Sequence, residues 1–286
     1  MSVRVRKFLV TVVFFLMLES LSVSVFAWNA VGHRIIAQIA YDQLTPIAKA
    51  KIDALTMVMF HSSYADNRFA RASTWPDQLK RKTARYNSWH YINLPLVENG
   101  IHPPRLNPDN VVWAIAQAEK IVKNSAQNKY VRGQYLSFLI HFVGDVHQPM
   151  HCVTLYDHLF PHGDRGGNAY LIHSSIAKNL HQLWDRGLGL FVSSPGNYQY
   201  HYWQIQKIAT QWMHLYPRAF FAKQLIVQSP KKWAQASYQI AVSFAYTLPP
   251  NTVPFDTYIK QGQVIVRKQC VLAGDRLADI LNQLFS

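Results

Sequence analysis

The amino-acid sequence predicts an all-α protein folded as a single compact multi-helix domain. Three observations carry that expectation. Apolar residues recur at three- and four-residue spacing along most of the chain, the period of a buried helix face. Few segments alternate with period two, so sheet content is expected to be small. Apolar residues make up 49% of the 286 residues, enough for a sizeable core, and no internal repeat, low-complexity tract or linker divides it.

The N-terminus reads as a targeting segment. Arg4, Arg6 and Lys7 precede an apolar stretch from Phe8 to Leu18, and Val25-Phe26-Ala27 has the pattern of a cleavage site. The stretch is too short and wrongly flanked for a transmembrane anchor. Cleavage after Ala27 gives a removed signal peptide, residues 1–27, and a mature domain, residues 28–286, that begins at Trp28. No other stretch could span a bilayer, so the expectation is an exported protein, periplasmic or secreted, without a membrane anchor. The formal net charge is +14, and losing Arg4, Arg6, Lys7 and Glu19 leaves +12. An excess of that size favours polyanionic partners such as nucleic acid, anionic lipid or phosphorylated substrates.

Helical periodicity runs from Trp28 to Leu44 and stops before Thr45-Pro46; a second helix follows from Pro46 to Leu55. Ser62 to Thr83 reads as a helix followed by a turn interrupted at Trp75-Pro76. Tyr91 to Pro108 is a Pro/Asn/Gly loop. Asn110 to Ser125 carries Val111, Ile115, Ala118, Ile121 and Val122 at helical spacing. Gln134 to His147 is a strongly apolar helix. Cys152 to Tyr170, rich in Gly, Asp and His, reads as loop. Ile176–Arg186, Tyr202–Leu215, Pro230–Tyr246 and Asp256–Leu284 complete the helices. The two cysteines, Cys152 and Cys270, lack the spacing of a zinc or redox motif; in an oxidising compartment they either pair or stay as separate buried thiols. The chain has no Asn-x-Ser/Thr glycosylation acceptor.

The chemistry concentrates in histidines and aspartates. His141 and Asp145 stand at i and i+4, on one face of the apolar helix, and His151 follows the break at Pro149. His181 and Asp185 repeat the i, i+4 spacing. His33 lies five residues after Trp28, Asp77 sits in Ser-Thr-Trp-Pro-Asp, and His90 in Ser-Trp-His-Tyr-Ile-Asn. Imidazole and carboxylate bind zinc where thiolates are absent. A structural zinc takes four protein ligands; this inventory exceeds that and points to several hydrolytic metals. His61, His102, His147, His158, His162, His173, His201 and His214 read as surface, loop or supporting residues.

These motifs are similar to those of the zinc-dependent single-strand nucleases of the S-one/P-one type, relatives of zinc-dependent phospholipase C. The resemblance rests on Trp28-x4-His33, Trp75-x-Asp77, Trp89-His90-Tyr91-Ile92-Asn93, the run from His141 through Gly144-Asp145 to Gln148-Pro149-x-His151, Gly166-Gly167-Asn168, and Asn179-Leu180-His181-x2-Trp184-Asp185. It runs from Trp28 to at least Asp185; the last hundred residues look only generically helical. It implies the all-α fold of that superfamily and three zinc ions. One would be held by Asp77, His90, His141 and Asp145, and a second by His151, His181 and Asp185. The third would be held by the Trp28 amino nitrogen and carbonyl oxygen, His33 and a share of Asp145.

The implied reaction is hydrolysis of single-stranded DNA and RNA to 5′-phosphate products, with 3′-nucleotidase activity, by zinc-activated water and without a side-chain nucleophile. The protein is expected to act as a monomer. Asp145, Lys80 and Asn168 are the implied catalytic residues, with Tyr91 as base-stacking platform and Asn93 beside it. Three positions depart from the family: Asn93 replaces an aspartate found in some members, Lys80 an arginine, and Pro76 a small residue, which is expected to shift the Asp77 loop. Phospholipase C is the main alternative. Asp185, where lipases more often carry Glu, the basic charge and Tyr91 favour the nuclease. A non-catalytic zinc-binding protein is the third reading, set aside because all nine implied ligand residues are present.

Overall fold

The computed structural model describes residues 28–60, 64–80, 82–98, 100–192 and 201–286. The signal peptide expected over residues 1–27, and His61, lie outside these. Eleven α-helices are described: α1 (Ala30–Asp42), α2 (Pro46–Met57), α3 (Ala65–Ala72), α4 (Trp75–Lys80), α5 (Val111–Lys123), α6 (Lys129–Asp145), α7 (Leu180–Asp185), α8 (Tyr202–Leu215), α9 (Ala222–Leu225), α10 (Pro230–Ser243) and α11 (Asp256–Phe285). Side chains set most of the starts. Asn29, Asn110, Asn128 and Asn179 each accept backbone N–H bonds at the N-terminus of α1, α5, α6 and α7. Thr45 and Ser229 do the same for α2 and α10, with proline following as the first helical residue.

Two apolar clusters form the interior, and α1 and α11 belong to both. Ala37, Ala40 and Tyr41 of α1 face one cluster with Leu277 and Leu281 of α11. Ile35, Ile36 and Ile39 face the other with Val266 and Val271. Helix α6 enters the first cluster and is buried on all sides from Leu136 to Asp145. A helix with no solvated face must satisfy any polar group it carries. His141 and Asp145 are two such groups.

The sequence expectations need four corrections. Trp75-Pro76 does not interrupt a turn but opens α4, because proline in a first helical turn lacks only an N–H that would be unpaired there. Asp77 therefore sits in a helical turn, and Pro76 is accommodated within it. Helix α6 starts at Lys129, earlier than the apolar run, since Asn128 caps a more polar first turn. The segment before α7 is non-helical and bridges Leu171 to Asn179. The two loops contain strands β1 (Pro95–Val97) and β2 (Thr154–Tyr156), paired in parallel with Leu96 opposite Leu155. That ladder continues as the bonds Thr154 N–H to Leu94 O (3.0 Å) and Ile92 N–H to His151 O (2.8 Å). It ties the segment carrying His90 to the one carrying His151. Cys152 and Cys270 are buried free thiols, one in each apolar cluster.

His147 lies off the ligand face, as its spacing from Asp145 predicts, and is buried. Its Nδ1–H donates to Val143 O (2.7 Å), and its Nε2 accepts from the Arg276 guanidinium (2.7 Å). Arg276 also donates to Gln224 O and lies over the Trp233 ring. Arg276→Ala leaves the imidazole nitrogen unpaired in the core and is expected to destabilise the fold by about 3 kcal/mol. Urea denaturation measures this; a loss within experimental error would mean that the network is dispensable.

Candidate metal centre

Eight predicted ligand side chains arrive at one buried centre from six places in the chain. The first turn of α1 supplies His33, the first turn of α4 Asp77, and a 3₁₀ turn over Asn87–His90 supplies His90. The last turns of α6 supply His141 and Asp145, the turn Pro149–His151 supplies His151, and α7 supplies His181 and Asp185. None is more than 6% exposed. Asp145 is the meeting point: Oδ1 lies 3.3 Å from His33 Nε2, while Oδ2 lies 3.0 Å from His90 Nδ1 and 3.3 Å from His141 Nε2. Asp77 Oδ1 stands 3.6 Å from His141 Nε2 and 3.8 Å from His90 Nδ1. His151 and His181 face Asp185 at 3.8 and 3.4 Å. Three groups could each hold an ion, the first two sharing His141: His33, His141 and Asp145; Asp77, His90 and His141; His151, His181 and Asp185.

The hydrogen bonds behind these rings show what the centre accepts. His141 Nδ1–H donates to Ser73 O (2.6 Å), His151 Nδ1–H to His90 O (2.7 Å), and His181 Nδ1–H to Gly166 O (2.6 Å). In a neutral ring each bond fixes the tautomer and leaves Nε2 as a lone pair aimed inward; burial favours that form at His151 and His181, whereas Asp145 and Asp77 raise the pKa of His141 against burial. His151 Nε2 and His181 Nε2 consequently face each other at 3.2 Å, two acceptors with no proton between them. Two imidazole nitrogens on one tetrahedral zinc, at roughly 2.0–2.1 Å each, lie about 3.3 Å apart. In the other half of the site, both ring nitrogens of His33, His90 Nε2 and Asp145 Oδ1 are buried without a hydrogen-bond partner, while Asp77 Oδ1 is ion-paired with Lys80. Buried polar atoms without partners are costly, and a cation removes the cost wherever the unpaired atom is an acceptor. The residues fit metal ions.

The charge balance points the same way. Burial holds His33 near pKa 4, helped by His141, and His90 near 3, helped by Lys80. Burial also lowers His151, and lowers His181 further beside it. These four imidazoles are held in the neutral form, the form in which a ring nitrogen can bind a metal. Burial would raise Asp145, but His141, His33 and His90 pull it well below the usual carboxylate range. Burial raises Asp185 well above that range, against the Gln148 amide bond. Three carboxylates thus share the centre with one buried lysine, Lys80, whose Nζ is 3.1 Å from Asp77 Oδ1.

Beside the centre, Tyr91, Asn93, Met150, Arg165, Gly166, Asn168 and His181 line one pocket. The expected substrate residues Tyr91, Asn93 and Asn168 are thereby brought together. Lys80 does not line this pocket. Arg165 does, and sequence reading missed it; the signal was its position directly before Gly166-Gly167. Gly166 adopts φ +63°, and a Cβ there would come within 2.5 Å of Met150 O, so only glycine lets its carbonyl reach His181.

A family model described as S1/P1 Nuclease matches residues 28–286. This chain belongs to the S1/P1 nuclease family. Among curated relatives, Endonuclease 4 of Arabidopsis thaliana is 27% identical over 294 aligned positions, covering 95% of this chain and 93% of that protein. Endonuclease 3 of the same plant is 26% identical, covering 96% and 95%. Nuclease P1 of Penicillium citrinum is 25% identical over 168 positions, covering 55% and 57%. As an S1/P1 nuclease, the chain is a phosphodiester hydrolase acting on nucleic acid. The match extends through the C-terminal helices, whose sequence alone looked generic. No helix among the described residues is long and apolar enough to cross a membrane.

In this S1/P1 nuclease, Trp28 is fully buried at the centre's edge. Its indole N–H donates to Gly144 O (3.1 Å), and the next residue's N–H, that of Asn29, donates to Asp185 O (2.8 Å). The start of the domain is thereby laced to α6 beside Asp145 and to Asp185 itself. Gly144 gives α1 its close approach: a Cβ there would lie 2.9 Å from His33 Nδ1. Gly144→Ala should push the His33 ring out of place and lower metal affinity and activity by roughly tenfold. Zinc titration and oligonucleotide cleavage read this; unchanged metal content and rate would show that α1 has room to shift.

Proposed function

We propose that this S1/P1 nuclease hydrolyses single-stranded DNA and RNA to products with 5′-phosphate ends, removes phosphate from 3′-nucleotides, and works with three zinc ions. The observation that carries the zinc reading is the pair of opposed ring nitrogens of His151 and His181 beside Asp185, together with the unpaired His33 and His90 ring nitrogens and Asp145 Oδ1. Asp77, His90, His141 and Asp145 would hold one ion, His151, His181 and Asp185 a second, and Trp28 and His33 with Asp145 a third. The two oxygens of Asp145 face different imidazoles, which suits a carboxylate shared by two ions. Bound zinc supplies Lewis acidity, bringing the pKa of water towards neutrality and offsetting negative charge on the phosphate.

The chain's own residues do the rest. The Nδ1–H bonds to Ser73, His90 and Gly166 hold the ligand rings in fixed orientation, so little reorganises during reaction. Lys80, against Asp77, offsets the centre's negative charge where an anionic substrate must approach. Tyr91 offers a ring for a nucleobase, Asn93 a polar edge beside it, and Asn168 an amide for a phosphate oxygen. We further propose that residues 1–27 direct export to the periplasm or medium, that their removal frees the Trp28 amine, and that the domain of residues 28–286 acts as a monomer.

The test incubates the mature protein with single-stranded DNA, RNA, a 3′-nucleotide and a phosphatidylcholine emulsion, and identifies the product ends. Cleavage of the nucleic acids to 5′-phosphates and release of phosphate from the 3′-nucleotide are expected. Lipid cleavage without nucleic-acid cleavage would replace this reading by phospholipase C.

A further inference from the structure

Arg165 is held in an unusual place for a long side chain. Its φ is +59°, and Gly166 and Gly167 follow at +63° and +81°, three consecutive left-handed residues. A non-glycine residue in this region carries a backbone cost of order 1–3 kcal/mol unless its surroundings impose it. Here they do. Asp164, fully buried, accepts Leu155 N–H at 2.9 Å and the Tyr246 hydroxyl at 2.6 Å, and also bonds the Gly166 and Gly167 amides. The Gly166 and Gly167 carbonyls in turn accept from the His181 ring and the His181 backbone N–H, at 2.6 and 3.2 Å. The turn is thus clamped between β2 and a ligand of the metal centre.

That clamp presents Arg165 to the pocket shared by Tyr91 and Asn168. The residue is exposed, and its guanidinium has no hydrogen bond, ion pair or ring contact among the described residues. Lys80, by contrast, is buried against Asp77. The pocket wall therefore offers one uncommitted cation with a planar array of donors, beside an aromatic ring, at the rim of a centre whose substrate is a polyanion. We propose that Arg165 is a substrate-binding residue that grips a backbone phosphate of the bound single strand, while Tyr91 takes a base. The proposal rests on the single-strand reading given above.

Direct binding tests it separately from cleavage. The mature zinc-loaded protein, Arg165→Gln, Arg165→Lys and Lys223→Gln are titrated with a short fluorescein-labelled phosphorothioate thymidine oligonucleotide at several NaCl concentrations. Arg165→Gln should weaken binding about tenfold and reduce the slope of log affinity against log salt by about 0.7. Arg165→Lys should restore the slope but not the full affinity, because lysine keeps the charge and loses the fork. Lys223→Gln removes an exposed charge from α9, outside the pocket, and should leave both quantities unchanged. Wild-type affinity and slope in Arg165→Gln, or an equal loss in Lys223→Gln, would overturn the proposal. If the wild type binds the strand through Arg165 but cleaves no single-stranded substrate, the cleavage reading fails and Arg165 keeps its role. If it cleaves and Arg165→Gln binds normally, the reverse holds.

Discussion

Asp145→Asn should lower kcat on single-stranded DNA by roughly three orders of magnitude. Removing a single electrostatic group from an active site costs about 10²–10³, and Asp145 is expected at the upper end because its two oxygens meet different imidazoles. Oδ1 meets His33, and Oδ2 meets His90 and His141. Asparagine keeps the shape but removes the negative charge, and its amide nitrogen turns a donor towards an imidazole lone pair. The zinc content of the purified variant should fall with the rate, while its helical circular dichroism stays near wild type. A variant that keeps three zinc ions and wild-type turnover would show that the assignment of Asp145 is wrong.

One residue left in front of Trp28 should cost a zinc ion and about 100-fold in activity. An α-amine binds metal only at a chain end, when unprotonated; an amide in its place has no lone pair to give. Trp28 is also fully buried, tied through its indole to Gly144 O and through the Asn29 N–H to Asp185 O. Mass spectrometry of the mature terminus, together with zinc content and rate, reads both effects. Full activity and three zinc ions in the extended protein would remove the amine from the ligand set.

Part of this site is written in local spacing. His141 with Asp145 and His181 with Asp185 are each one helical turn apart, so the sequence places each pair on one face. Trp28, His33, Asp77 and His90 have no such local relation to them. In the sequence only family resemblance links them; the packing of α1 and α4 against α6 brings in His33 and Asp77. Helix periods were legible for the same local reason, whereas β1 and β2, three residues each, are too short to show a period of two. Their pairing is nonetheless what brings His90 beside His151. Pro76 misled because Trp-Pro resembles a turn, and a first helical turn tolerates proline equally well. Arg165 stands directly before Gly166-Gly167, which marks a turn, but its place in the pocket depends on a left-handed conformation tied to buried Asp164, which no periodicity records.

Zinc occupancy followed against cleavage bears most directly on the metal-dependent chemistry. The mature protein is stripped with chelator and refilled stepwise, and single-stranded DNA cleavage is measured at each zinc-to-protein ratio. Cleavage should fall to background in the stripped protein and reach its full rate only as occupancy approaches three ions per chain. Cleavage that persists without metal, or that saturates at one ion per chain, would contradict a three-zinc centre built around Asp145.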